Sequence, residues 1–452
     1  MKNLRSRLVL MNFLEFAVWG AYLTSMGTFL AAHEHFSIIG WFYSIQGIVS
    51  IFMPALMGIV ADRWIPAQRV LSLCHFLAGA LMVMAGVCGL KEGFDVGTLF
   101  TLYAFSVAFY MPTLALSNSV AFNGLTQANM DTVKAFPPIR VFGTIGFILT
   151  MLTVSVIGTQ VGADGQQEFV FNLDNLLAAF GADVEVNDTF KSLQFTSWQF
   201  VISGGLSLLL ALYSLTLPNC PTKPKTEAGG GLMKALGLDA LYLFKQRRMA
   251  VFFIFSMCLG VSLQITNGYA GTYLAEFQAI PEYAQSLCAQ YPNVLISLSQ
   301  ISETCCILLI PFFMKRFGIK NVMMIAMLAW VLRFGLFGTG NPGAGVWMFV
   351  LSCIVYGVAF DFFNISGALF VDNNTTSDIR SSAQGLFMLM TNGLGATIGT
   401  LGAMFICNHY VDAVAEQGIE AKIAGWHTAW FIFAGYALVV LVLFALIFKE
   451  KK

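Results

Sequence analysis

Charge is what this chain has least of. Lys, Arg, Asp and Glu make up 11% of its 452 residues, against about 25% in soluble domains. Hydrophobic residues make up 57%, and that balance excludes a soluble globular protein. The 24 Lys+Arg are matched by 24 Asp+Glu, so no cationic surplus exists for a phosphate backbone and nucleic acid is excluded as a partner. The nine Cys are scattered singly apart from Cys305-Cys306, with no CxxC and no Cys/His ligand spacing, so neither a zinc site nor a disulfide scaffold is supported. No metal and no bound cofactor is expected. No Ser/His/Asp, HExxH or His-rich constellation is visible, and an enzyme is not expected either.

Long apolar runs are what the chain does have. A membrane helix needs about 20 mostly apolar residues, and twelve candidates are spaced along the sequence. They lie near 8–32, 38–61, 70–90, 97–121, 138–161 and 196–217, then 249–275, 292–314, 320–338, 344–371, 383–407 and 425–448. Barrel strands would alternate apolar and polar residues, which runs such as Leu206–Tyr213 do not. Met1–Arg7 leads straight into the first run and reads as the flank of a start-anchored helix rather than a cleaved signal.

Basic residues collect in cytoplasmic loops. With the N-terminus inside, only Lys91, Lys191 and Lys422 fall in outer segments and Arg333 falls within a helix; the other twenty of the 24 Lys/Arg are inside. Both termini are therefore expected in the cytoplasm. The longest inner loop carries Pro218, Lys223-Pro224-Lys225 and Gly229-Gly230-Gly231, and reads as a flexible linker over 218–248 between a six-helix half at 1–217 and another at 249–452. Gly27-Thr28-Phe29-Leu30-Ala31 is echoed by Gly271-Thr272-Tyr273-Leu274-Ala275, and Ile139-Arg140 by Ile379-Arg380. Two parallel halves suit alternating access by rocking.

Between the second and third runs stands Gly58-Ile59-Val60-Ala61-Asp62-Arg63, followed by Arg69. This resembles the signature of the major facilitator superfamily, with its second glycine missing and its basic cluster reduced to Arg69. The resemblance implies a conformational latch at Gly58, Asp62, Arg63 and Arg69: a glycine permits close helix approach, and Asp62 can pair with Arg63 or Arg69. Five further segments, MPALMGIVADRW (53–64), FPPIRVFGTIGF (136–147), LQITN (263–267), SQISE (299–303) and YGVAFDFFNISG (356–367), run through both halves. Together they resemble the nucleoside:proton symporter branch of that superfamily over nearly the whole chain. The fold implied is an all-α integral membrane protein of twelve transmembrane helices.

The residues carry their own message. Polar groups at bilayer depth must face a water-filled cavity or a partner, and residues three, four or seven apart share a helix face. Arg140, Thr144 and Phe147 share one face, as do Gln264 and Asn267, Gln300 and Glu303, Tyr356 and Phe360, and Glu15, Trp19 and Tyr22. Amides that donate and accept, aromatic faces that stack on bases and an acid that accepts from hydroxyls suit a neutral, flat, hydroxyl-rich solute. The resemblance implies nucleoside binding by Arg140, Thr144, Phe147, Gln264, Asn267, Gln300, Glu303, Tyr356 and Phe360. By residue type alone Gln264 and Asn267 serve equally as interhelical hydrogen-bond glue, and Arg140 as a snorkelling cation. Arg333, outside any motif, reads as a snorkelling residue or a structural ion pair.

Coupling requires a carboxylate whose partner changes between states. Glu303, Asp361 and Glu15 are the candidates for carrying the proton; a structural hydrogen bond is the other reading of Asp361. The expected function is proton-coupled import of nucleosides across a bacterial cytoplasmic (inner) membrane, by a monomer in the lipid bilayer, with the proton gradient as sole energy source. A proton-coupled sugar or oligosaccharide symporter of the same fold is the alternative. The outer segment 160–195 reads as a surface insertion or a small lid, and His33 and His35 as solvated loop residues.

Overall fold

Apolar segments in lipid can satisfy their backbone polar groups within themselves only by coiling into helices, and helices dominate the chain. The computed structural model describes residues 3–161, 167–184, 186–187, 189–222, 238–376 and 379–449. The heart of the expected linker, 223–237, lies outside the described residues. In chain order the helices are α1 (Leu4–Gly20), α2 (Met26–Ala32), α3 (Ile39–Arg63), α4 (Ala67–Gly89), α5 (Val96–Gln127), α6 (Thr132–Val156), α7 (Asp174–Ala179) and α8 (Trp198–Ser214). There follow α9 (Arg247–Leu263), α10 (Ile265–Glu276), α11 (Leu287–Gln290), α12 (Pro292–Thr339), α13 (Val346–Asn373), α14 (Arg380–Met388), α15 (Ala396–Tyr410) and α16 (Ile419–Ile447).

Among the described residues nine helical stretches are long and apolar enough to cross a membrane, and α8 is a shorter apolar helix of 17 residues. The 48-residue α12 is broken at Gly318, whose φ of 75° is left-handed backbone that glycine adopts without a Cβ clash. That break falls between the runs expected at 292–314 and 320–338. The first expected run is divided into α1 and α2 by a turn over residues 21–25. The run expected at 383–407 passes from α14 through a wider π-helical turn, Leu389–Gly395, into α15. Asp95 caps α5, accepting from the Thr98 amide at 2.9 Å and the Thr98 hydroxyl at 2.6 Å.

One expectation needs correcting: the protein is mostly, but not wholly, helical. The run expected to stay helical to 161 leaves the helix at Val156, and Ile157–Val161 pairs antiparallel with Gln167–Phe171 on one side and Lys191–Ser192 on the other. A Cβ at Gly158 would collide with the Lys191 carbonyl, so glycine admits the third strand. The insertion is therefore a small sheet with a short helix, α7, beside it.

The first and second sets of helices meet at the end of the bundle that carries residues 32–38 and 277–291. Gly27 of α2 lies against the Gly268 carbonyl of α10, and its Cβ would stand 2.9 Å from the Thr272 hydroxyl. Reciprocally, a Cβ on Gly271 would stand 3.1 Å from the Thr28 hydroxyl. The two echoed segments thus contact each other with approximate two-fold reciprocity. The same end is tied by Asn408 Nδ2 donating to the Ser37 carbonyl and Gln194 Nε2 donating to the Gln290 carbonyl, both at 2.9 Å. Phe36, Tyr269 and Trp426 pack ring against ring beneath these ties.

Candidate functional site

Two close helix crossings build the site. On the N-terminal side α1 and α6 touch backbone to backbone: Gly20 rests on the Phe147 carbonyl and Gly146 on the Phe13 carbonyl. This sets Arg140 with its guanidinium 3.8 Å above the Phe16 ring, a cation–π contact in a water-poor setting. Thr144 is half-buried one turn on, and Phe147 is buried in the core. On the C-terminal side α13 crosses α12 at Gly357, where a Cβ would lie 2.6 Å from the Ser302 carbonyl and 2.7 Å from the Glu303 nitrogen. Ser302 also donates to the Ile354 carbonyl. The crossing places Glu303 beside Tyr356, Phe360 and Asp361.

Since α6 packs on α12, the two crossings face one another. Arg140 comes within electrostatic reach of Glu303 and Asp361, and the two acids within reach of each other. One oxygen of Asp361, Oδ2, is buried without a hydrogen-bond partner among the described residues. Tyr356 and Phe360 stack, with ring centroids 5.6 Å apart and planes 16° apart. Gln264 sits at the joint between α9 and α10, and Asn267 Nδ2 donates to its Oε1 at 2.9 Å. Gln300, Glu303 and Phe360 are half-buried, Tyr356 nearly buried. The arrangement offers a cation within electrostatic reach of two acids, a stacked ring pair, and an amide pair at the α9–α10 joint. No group of His, Cys, Asp and Glu among the described residues could hold a metal ion.

Four expectations end up elsewhere. The face carrying Glu15, Trp19 and Tyr22 packs into the N-terminal helices; the adjacent Phe16 is the residue of α1 that meets the guanidinium. Glu15 is fully buried, its Oε1 accepting from the Thr113 hydroxyl at 2.5 Å and its Oε2 lying 2.9 Å from His75 Nε2. At the other end of the bundle Gly58 faces open space, with nothing within 4 Å of a Cβ there, and Asp62, Arg63 and Arg69 are exposed. The close approach expected at Gly58 is absent from this conformation. Arg333 does not snorkel, and no acid pairs with it among the described residues: it is buried, its guanidinium lies 4.4 Å above the Tyr356 ring, and Nη1 donates to the Ser352 carbonyl at 2.8 Å. His33 and His35 are half-buried against Phe94 rather than solvated.

Sequence reasoning missed His75, Phe16 and Tyr110. His75 stands alone in an apolar run and its partner is 60 positions away. The signal available was that an ionisable group at bilayer depth needs a partner, and Glu15 needed one too.

Arranged this way, the chain has the build of a membrane transporter of the major facilitator type. The crystal structure of the xylose transporter XylE from E. coli superposes with a TM-score of 0.58 at 13% identity, over 99% of this chain and 100% of the other, a likeness of fold alone. The crystal structure of the nucleoside transporter NupG superposes with a TM-score of 0.82 at 41% identity, over 99% and 100% of the two chains. The profile described as Nucleoside H+ symporter matches residues 1–171 and 177–452, and the chain belongs to that family. It is 43% identical to the xanthosine permease of Escherichia coli strain K12, over 99% of this chain and 96% of that one. It is 42% identical to the nucleoside permease NupG of the same strain, over 99% and 97%. The family's members are transporters, not enzymes, and a sugar symporter is not favoured.

Proposed function

We propose that this chain imports nucleosides together with protons across the inner membrane of a bacterium, working as a monomer and drawing only on the proton gradient. In this reading twelve spans form halves at 1–217 and 249–452 joined by the cytoplasmic linker 218–248, with both termini inside. Gly318 supports counting α12 twice, and α8 with the α1–α2 pair completes the twelve. The contacts at Gly27 and Gly271 then close the outer face, and Gly58, Asp62, Arg63 and Arg69 serve as the latch at the inner end.

The observation that carries the proposal is that Arg140 of one half lies within electrostatic reach of Glu303 and Asp361 of the other. When both acids are ionised they compete for one guanidinium at low dielectric; protonation of one relieves the competition. The buried, unpartnered Oδ2 of Asp361 supports that residue as a proton carrier with Glu303. Thr144, Phe147, Gln264, Asn267, Gln300, Tyr356 and Phe360 complete the binding set: the rings stack on the base, and amides paired as Gln264 and Asn267 are keep a donor and an acceptor for ribose or base edges. Glu15, held by its own half, we read as structural.

Uptake of labelled uridine, adenosine and xanthosine by cells lacking their own nucleoside carriers tests the proposal. Accumulation that collapses with a protonophore is expected. Expressed protein that takes up none of the three overturns it.

A further inference from the structure

Helices α4 and α5 bring partners to Glu15 of α1, and α8 backs one of them. Beyond the contacts from Thr113 and His75, the Tyr110 hydroxyl donates to the Glu15 carbonyl at 2.8 Å. His75 is itself held from behind. Ser207 Oγ gives its proton to the His75 carbonyl at 2.9 Å and presents a lone pair to Nδ1, also at 2.9 Å. Nδ1 therefore donates to Ser207, and one proton is shared in the contact between Nε2 and the Glu15 carboxyl. With that proton the His75–Glu15 pair carries no net charge and is closed within its own half. Both side chains are 0% exposed, so neither can turn to water.

Arg140 is a cation in reach of Glu15. Its guanidinium lies over the Phe16 face, one residue along from Glu15. A buried carboxylate stripped of one partner draws on the nearest remaining positive charge, because an unpaired buried charge is strongly unfavourable.

We propose that His75 is a positioning residue for Arg140: by holding Glu15, with Ser207 behind it, His75 keeps the carboxylate of the N-terminal half off the guanidinium and leaves Arg140 to Glu303, Asp361 and the solute. This rests on the nucleoside–proton reading above. Its site is distinct from the candidate binding residues: His75, Thr113 and Ser207 contact Glu15 and one another.

The test is nucleoside uptake kinetics by intact full-length protein in a double-substitution cycle. His75→Gln is expected to raise KM about tenfold, the size of coupling seen between contacting charged residues, with maximal rate largely kept. Glu15→Gln alone is expected to leave KM within about twofold of the parent. The double substitution is expected to restore KM, because no carboxylate then remains to capture Arg140. A double variant as impaired as His75→Gln, or an unchanged KM in His75→Gln, overturns the proposal, the former pointing to a merely structural role. If His75→Gln does not yield folded protein, Ser207→Ala replaces it, with a smaller rise in KM and the same rescue by Glu15→Gln; no rise there also overturns the proposal. Absence of uptake by the parent chain refutes the nucleoside reading instead, so the two failures are told apart.

Discussion

The two halves treat their buried acids in opposite ways. In the N-terminal half Glu15 has a hydrogen-bond partner on each oxygen and a third holding its backbone carbonyl, all from helices of the same half. In the C-terminal half Asp361 keeps a buried oxygen without a partner, and both it and Glu303 look across to an arginine of the other half. A fully partnered acid gains nothing when the halves move, because its partners move with it. An acid whose partner lies on the other half changes surroundings at every cycle, which is the condition for binding a proton in one state and releasing it in another. The same contrast holds for two arginines, buried Arg333 and half-buried Arg140. Arg333 is fixed by its own half over Tyr356, whereas Arg140 is the one shared between halves.

The largest expected effect breaks or keeps this contrast directly. A proton crossing about 100 mV releases about 2.3 kcal/mol, enough for roughly 50-fold accumulation of a neutral solute. Asp361→Asn is expected to abolish that accumulation while leaving exchange of labelled for unlabelled nucleoside across reconstituted membranes. Glu15→Gln is expected to retain accumulation. Equal loss in both would erase the distinction between the halves.

Next in size come the stacked rings. Base–aromatic stacking is worth about 1–3 kcal/mol per ring by alanine substitution. Phe360→Ala is therefore expected to raise the nucleoside KM about tenfold or more, with proton dependence intact. Phe147→Ala removes a ring buried in the N-terminal core and is expected to lower thermal stability more than affinity. Thermal unfolding beside uptake kinetics separates the two, and a reversed pattern would move the stacking platform to the N-terminal half.

A third test concerns the crossing that delivers Glu303. Gly357→Ala puts a Cβ 2.6 Å from the Ser302 backbone, an overpacking of about 1–3 kcal/mol. It is expected to lower the unfolding temperature and, by pushing α13 off α12, to weaken transport more than an alanine at Gly335, where a Cβ meets nothing within 4 Å.

Much of this was legible in the chain itself. Apolar run length located the helical segments, because lipid leaves the backbone no other way to satisfy itself. Helical spacing put Tyr356 beside Phe360 and Gln264 beside Asn267, and both pairs are neighbours in the structure. Spacing does not say which way a stripe turns. Glu15, Trp19 and Tyr22 share a face as read, but that face turns inward, because the α1–α6 contact through Gly20 and Gly146 fixes the rotation of α1. His75 and Arg333 were illegible for a related reason: each is defined by partners on other helices, and one apolar run with one polar residue looks the same whether that residue snorkels, stacks or pairs. The strand at Ile157–Val161 was lost because a five-residue segment directly after an apolar helix shows no break of its own until a pairing partner intervenes.

The smallest expected effect belongs to an acid outside the bundle, and it sharpens the comparison by supplying its limiting case. Asp95 is exposed at the start of α5 and has its partners within three residues. The Thr98 hydroxyl, with the Thr98 and Gly97 amides, holds its carboxyl below the usual carboxylate range. A carboxyl whose folded value is depressed stabilises the protein above its unfolded value, near pH 3.9, and loses that contribution as pH falls through the folded value. Throughout the pH range in which transport is measured the cap is therefore fully ionised and constant. Asp95→Ala is expected to lower stability slightly at neutral pH, by a difference that shrinks as the solution is acidified below about pH 4, and to leave accumulation and its proton dependence unchanged. A change in proton dependence would mean that a locally satisfied carboxylate can couple after all, and the argument that assigns coupling to Glu303 and Asp361 by their cross-half partner would fail with it.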